Sequence, residues 1–394
     1  NVVQLAEVLI KYGISGSNFV PRKVESTSNA RYTEKYYEIP EEISKYGILV
    51  VSNNNGAVEN ITLDLPKSGD MEKDKTRTDY FDRKINKEVY FSAVADNLLG
   101  KEGGAWGLIS ARMGRKSYVT EVLESCVFAK KNDASDKVTL DLAREDSISW
   151  DEAIDKFNVA KRKVLLLREG IKKDQKLLDD FYKEGEGLAK SKLDLKQLLI
   201  EKEQLNIKLN DVRTELESNE QETLEQEGEI KYIKEHSSIF KKLLILLGIG
   251  KIGRHVAEKQ KYVDELIINH EDIKRRYSLA VRNTEEVCGK IENQYSIIST
   301  LEKKVQILKE KVYGNNESLK NKYKNNFADR NFYEAIKESE NSQNACPWTF
   351  DEYDMAREEL FFASLQVRKA FILESPYIKR NLFVYEAYNN GKYT

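Results

Sequence analysis

The sequence predicts a mainly α protein in which a long antiparallel coiled-coil hairpin interrupts a smaller α/β part. Three observations predict it. Of 394 residues, 33% are charged and only five are proline, which favours long helices wet over most of their circumference. Apolar residues in the middle of the chain recur by threes and fours. The two ends, in contrast, are richer in Gly, Asn, aromatic residues and short apolar runs. Three zones follow: 1–149 mixed, 150–343 periodic, and 344–394 helical and aromatic.

The middle zone is the most explicit. Val263, Leu266, His270, Ile273, Tyr277, Ala280, Thr284, Val287, Ile291, Gln294, Ile298, Leu301, Val305, Leu308 and Val312 form one stripe of a heptad helix. Only His270, Thr284 and Gln294 are polar in it. As a single helix, residues 255–312 would extend about 87 Å. Upstream, Phe157 to Phe181 hold one heptad phase and Leu188 to Ile233 another. The phase changes at Gly185-Glu-Gly187, where two glycines each weaken a helix by roughly 1 kcal/mol, so an elbow is expected there. Ser149-Trp-Asp-Glu152 has capping-box spacing and marks the outgoing start. Gly314-Asn315-Asn316 marks the returning end. An intramolecular hairpin and a coiled-coil dimer share these heptads, so self-association stays open.

Between the helices, residues 236–254 carry nine Leu, Ile or Phe residues with Lys241, Lys242, Lys251 and Arg254 and no acid. This tip is either a knob whose apolar side chains pack on each other or a docking surface, with Phe240, Leu244, Leu247, Lys241 and Lys242 as contact residues. A protein partner or a second copy is the expected occupant, and a peripheral membrane contact is the weaker expectation.

Composition excludes several classes. Net charge is −2, so nucleic acid does not wrap the whole surface. Cys126, Cys288 and Cys346 stand far apart without C-x-x-C spacing, which fits reduced cytoplasmic thiols rather than a disulfide scaffold. No apolar run approaches the ~20 residues of a spanning helix. His236, His255 and His270 lack metal-ligand spacing, and no metal is expected. Gly248-Ile-Gly250-Lys-Ile-Gly253 spells a dinucleotide fingerprint but sits between heptad helices, where turn flexibility accounts for it better. Asp351-Glu352 follows Thr349 at capping-box spacing and reads as a helix start before an amphipathic stretch through Phe371. No G-x-x-x-x-G-K-[ST] occurs, so hydrolysis by these residues alone is not expected. The chain reads as an excerpt of a longer polypeptide.

Gly47 to Ser52 reads as a short buried strand running into Asn53-Asn-Asn-Gly-Ala-Val-Glu-Asn-Ile61. A strand, a small Asn-rich turn and a helix together expose backbone N–H groups that can hold a phosphate. VVSNNNGAVENITLDLP closely resembles motif Ia of superfamily 1 helicases of the 1B, Upf-like branch, in which a strand ends in Ser-Asn-x-Ala-Val. Asn54, Asn55, Ala57 and Val58 match, with Asn54 in the Ser position. Ala105-Trp-Gly-Leu-Ile-Ser-Ala-Arg-Met-Gly114, Pro347-Trp-Thr349, Ala356 through Phe371 and the opening Asn1-Val-Val-Gln-Leu-Ala-Glu7 resemble the bacterial members in the same order.

The resemblance implies a partial α/β RecA-like element interrupted by the hairpin, the portion between Walker A and the acidic magnesium box. It implies contact with single-stranded DNA or RNA through Asn54, Asn55, Ala57 and Val58. ATP and magnesium are implied only for the longer parent, not for this chain. Arg112 and Arg115, beside the Trp106 segment, are candidate phosphate contacts. The alternative is a non-enzymatic coiled-coil scaffold that recruits a partner through its apolar, basic tip.

Overall fold

The computed structural model describes residues 1–15, 19–27, 33–47, 55–67, 90–99, 104–112, 115–127, 148–337 and 346–392. These residues are mostly helical, with one small sheet. The chain divides into two compact units, Asn1–Lys172 with Asn344–Thr394, and Lys173–Gln343.

In the first unit, α1 (Val2–Tyr12) buries Ala6 and Leu9 against two other helices. One is the first part of α6 (Trp150–Glu235), which contributes Trp150, Ala153, Phe157, Ala160 and Val164 at helical spacing. The other is α11 (Asp351–Glu374), which contributes Ala356, Leu360, Ala363, Val367, Ala370 and Phe371. Small residues alternate with large ones along all three, so the backbones approach closely and the rings of Phe157 and Phe371 fill what remains.

The opposite face of α11 is buried as well. Phe362, Leu365 and Leu373 pack with Tyr90, Phe91, Val94, Trp106, Leu123 and Val127. Expected as an amphipathic stretch, α11 is instead a central helix covered on two sides. Its buried Ser364 donates to the carbonyl of Leu360 at 2.6 Å, so the hydroxyl is not left unpaired. Its start also differs from expectation. The N-cap position is Phe350, without a side-chain cap, and the Thr349 hydroxyl donates to the carbonyl of Cys346 at 2.9 Å.

The start of α6 follows the capping pattern. The N–H of Glu152 donates to the Ser149 hydroxyl at 3.2 Å. The N–H of Trp150 donates to the Glu374 carboxylate at 2.8 Å, tying the first turn of α6 to the last of α11. Lys161 pairs with Glu7 and Lys163 with Glu359.

β1 (Pro21–Glu25) and β2 (Thr33–Tyr37) form an antiparallel ribbon in the register Pro21↔Tyr37 to Glu25↔Thr33. Helix α12 (Pro376–Asn389) runs along β2. Asn381 accepts from the Tyr37 N–H at 2.7 Å and donates to the Tyr37 carbonyl at 2.6 Å. Arg380 donates to the Lys35 carbonyl and pairs with Glu34. Short helices α2 (Glu41–Ser44), α3 (Asn55–Asp64), α4 (Ser92–Leu99) and α5 (Lys116–Val122), the last continued by a π-helical turn over Leu123–Val127, complete the described part of the unit. The strand expected over 47–52 lies outside the described residues except for Gly47.

In the second unit the rest of α6 runs beside α8 (Gly250–Tyr313). Their contacts give the direction. Lys259 meets Gln226 and Glu229, Arg276 grips Glu215 through two hydrogen bonds, Gln294 donates to the Ser191 carbonyl, Lys192 meets Glu302, and Tyr182 meets Tyr313. Numbers fall along one helix as they rise along the other, so the two are antiparallel. Val263, Leu266, Ile273, Val287, Ile291, Ile298 and Val312 are buried in the seam.

Helix α6 is continuous through Gly185 and Gly187, where an elbow is expected. The phase change has another cause in the packing. Near this level α6 meets a third segment, α9 (Leu319–Tyr323) and the residues before α10 (Phe332–Lys337). Asp174 accepts from both Lys322 and Tyr323 at 2.7 Å, and Arg330 stacks on Tyr182 and pairs with Glu186. A helix that gains a partner on a second side shifts its apolar stripe toward it.

Candidate functional site

Two regions contain the residues singled out by sequence. The first is around α3. Its last turn has carbonyls with no partner inside the helix, and the Trp106 segment takes one of them, that of Thr62, together with the two carbonyls that follow the helix. The Trp106 indole N–H donates to the Leu65 carbonyl and its backbone N–H to that of Pro66, both at 2.8 Å. The Ser110 hydroxyl donates to the Thr62 carbonyl at 2.8 Å. Trp106 is buried, and bridges from Ala105 to Lys67 and from Gly107 to Tyr90 hold the segment in place. The C-terminal end of α3 is therefore fastened, and its first residue is Asn55.

Asn54 lies outside the described residues, as do the side chains of Asn55, Ala57 and Val58. The backbone of the last three forms the first turn of α3, which leaves N–H groups without intrahelical acceptors. Arg112 shares a small cleft with Thr62, Leu63, Ala95 and Tyr118, at the other end of α3. Seven residues separate Asn55 from Thr62, about 10 Å along the axis. The Arg112 guanidinium lies 4.6 Å from the Tyr118 ring centre and 3.9 Å from the Glu121 carboxylate. Arg115, exposed, lies 5.8 Å from the same ring. The two arginines form one cationic cluster on Tyr118, separate from the turn at Asn55. Arg112 stands at the negative end of the α3 dipole, which favours a cation without any ligand.

The second region is the segment that joins α6 to α8, where turn flexibility is the expected role of the glycines. Residues Ile239–Leu247 form α7. Gly248, at φ +65°, closes it in the left-handed conformation. Its N–H donates to Ile245 and that of Ile249 to Leu244, the paired bonds of a Schellman end. Gly250, at φ +77°, turns the chain into α8 earlier than expected. A Cβ on Gly253 would stand 2.4 Å from the Leu244 carbonyl oxygen. The three glycines of the fingerprint-like motif thus make a tight helix–helix corner, not a flexible turn.

Inside that corner, Ile245 packs with Ile230, Ile233, Val256 and Val263. Leu244 is half-buried, so of the expected contact residues it serves the corner. Phe240, Leu247, Lys241 and Lys242 are exposed, and Ile239, Leu243, Leu246 and Ile249, which sequence reasoning did not single out as contacts, are exposed with them. Heptad periodicity could not reveal them because it stops at Ile233.

Burial pushes the Tyr90 phenol up to about 12. Burial and a hydrogen bond to Asp174 raise Tyr323 further. Both stay protonated near neutrality and serve as anchors. Among the described residues no group of three His, Cys, Asp or Glu is disposed to hold a metal ion. No protein-family model matches the chain, and no curated protein or solved structure matches it.

Proposed function

We propose that the chain is a segment of an ATP-dependent superfamily 1 helicase acting in the cytoplasm. In this reading a partial RecA-like element contacts single-stranded DNA or RNA at the turn opening α3. An antiparallel coiled-coil arm, inserted in that element, offers its tip to a partner. The observation that carries the reading is the packing of α1 on α11. Residues before the arm and residues after it share one core, as they would if the arm were an insertion in a single domain. The motif Ia-like wording before α3 supplies the strand contact. ATP and magnesium belong with the Walker A and acidic box of such enzymes, which are not found in these residues, so this segment contributes grip rather than hydrolysis.

In the full-length protein, Asn55→Ala is expected to weaken single-strand binding about tenfold or more. A hydrogen bond to a charged phosphate contributes about 1.5–3 kcal/mol, and the loss should be equal across sequences because a backbone contact carries no base information. Unchanged affinity in a folded protein overturns the assignment.

One observation favours a second reading, the exposed apolar end of the arm. A non-enzymatic coiled-coil scaffold would use it to recruit a partner, and the full-length protein would then bind no single strand at all.

A further inference from the structure

We propose that the tip of the arm docks on an anionic lipid surface. The proposal names the occupant of the tip and rests on the reading above only in treating the tip as a docking end.

At about 100° per residue, Ile239, Phe240, Leu243, Leu246 and Leu247 fall within about 120° of arc on α7. All five are exposed, Ile239 to 89% and Leu246 to 82%. The opposite side of the helix, through Leu244 and Ile245, is held against the first turns of α8. The apolar arc is therefore the outward face of an anchored helix, and it cannot be hidden by rolling α7 over. Ile249, in the corner, is 56% exposed and extends the patch.

The charges around the patch have one sign. No Asp or Glu occurs between Glu235 and Glu258. Lys242 flanks the arc about 40° beyond Leu246, Lys241 falls on the other side of α7 between Leu244 and Ile245, and Lys251 and Arg254 follow the corner, none with an ion pair among the described residues. Further down the arm, Lys259 pairs with Glu229 and Arg276 with Glu215. Unpaired cations beside an outward apolar face suit a bilayer surface. The side chains enter the acyl boundary and the long basic stems reach lipid phosphates. The acidic run Glu215–Glu235 begins where the tip ends. An anionic surface repels it, so contact stays at the tip.

A second copy fits less well. It would set four like charges against four, and six apolar side chains fall far short of the roughly 20–30 residues a side of a stable interface. A partner groove lined for a short helix remains the competing occupant.

The test is co-sedimentation of the full-length protein with phosphatidylcholine vesicles that do or do not contain phosphatidylserine. Binding is expected only with phosphatidylserine, weakening as salt rises. Lys242→Gln, beside the apolar arc, is expected to weaken it roughly fivefold, as each basic residue near an anionic surface contributes. Ile239→Ser with Leu246→Ser, both outside the packed corner, should abolish it while helical circular dichroism stays unchanged. Equal binding to both vesicle types overturns the electrostatic part. No vesicle binding overturns the proposal. A concentration-dependent dimer lost in the Ser variant would then assign the tip to a second copy, and a monomer would leave the groove of another protein. Single-strand binding, measured on the same samples, tests the helicase reading separately.

Discussion

Helix α11 buries 11 of its 24 residues and α8 buries 9 of its 64, so the same backbone form is held by very different surroundings. The central helix has neighbours on two sides, and a residue such as Phe371 touches Phe19 and Trp150 rings at once. The returning helix has one continuous partner, and its buried residues recur only where that partner faces it. A helix covered on two sides loses its periodic contrast, whereas one covered along a stripe displays it. Periodicity therefore reports the number of partners as much as the presence of a helix.

Substitutions can break this comparison. Phe371→Ala should cost about 3–5 kcal/mol, seen as a drop in the denaturant midpoint of the first unit, because its cavity opens between three helices. Ile273, fully buried in the arm seam, should cost about 2–4 kcal/mol as Ala, since the exposed sides of both arm helices allow partial collapse. An arm substitution as costly as the central one would show that the seam is as confined as the two-sided core. Ser149→Ala should cost about 1 kcal/mol by removing the cap of α6, measured by thermal unfolding.

Acid sharpens the comparison with the smallest effect. The Arg276 hydrogen bond holds Glu215 below the usual carboxylate range, and Lys259 does the same for Glu229. A carboxylate depressed in the folded state stabilises it above the unfolded value, about 4.3. That contribution is lost as pH falls through the depressed folded value. Arm helicity followed from pH 7 downward should decline slightly in that window, and less in Glu215→Gln. The groups are exposed, so high salt should reduce the difference.

The mostly helical fold was legible because Val263 to Val312 repeat with only three polar positions and Ser149 and Gly314 stand at real ends. The tip helix was not, since IFKKLLILL is apolar around most of its circumference and Gly248 reads as a break. It is a break, but one that closes a helix. The phase change at Gly185–Gly187 was visible and its cause was not: the residues responsible, Lys322, Tyr323 and Arg330, stand more than a hundred positions away. Asn219, buried with its side-chain oxygen unpaired, is another seam position that an apolar pattern passes over. At the candidate strand site, type and order of residues were readable. The separation of Arg112 and Arg115 from Asn55 follows from the direction of α3, which spacing alone does not encode.

The way Asn381 meets Tyr37 has a consequence for how the protein behaves at high concentration. A two-stranded ribbon normally presents open edges that can recruit a strand from another molecule. Here one carboxamide occupies both the N–H and the carbonyl of Tyr37, and Arg380 takes the carbonyl of Lys35. An incoming chain would have to displace side chains that already match the hydrogen-bond pattern of a strand. Helix α12 thus serves as a dummy neighbour for β2, and fibril-like growth from that edge is blocked by two side chains.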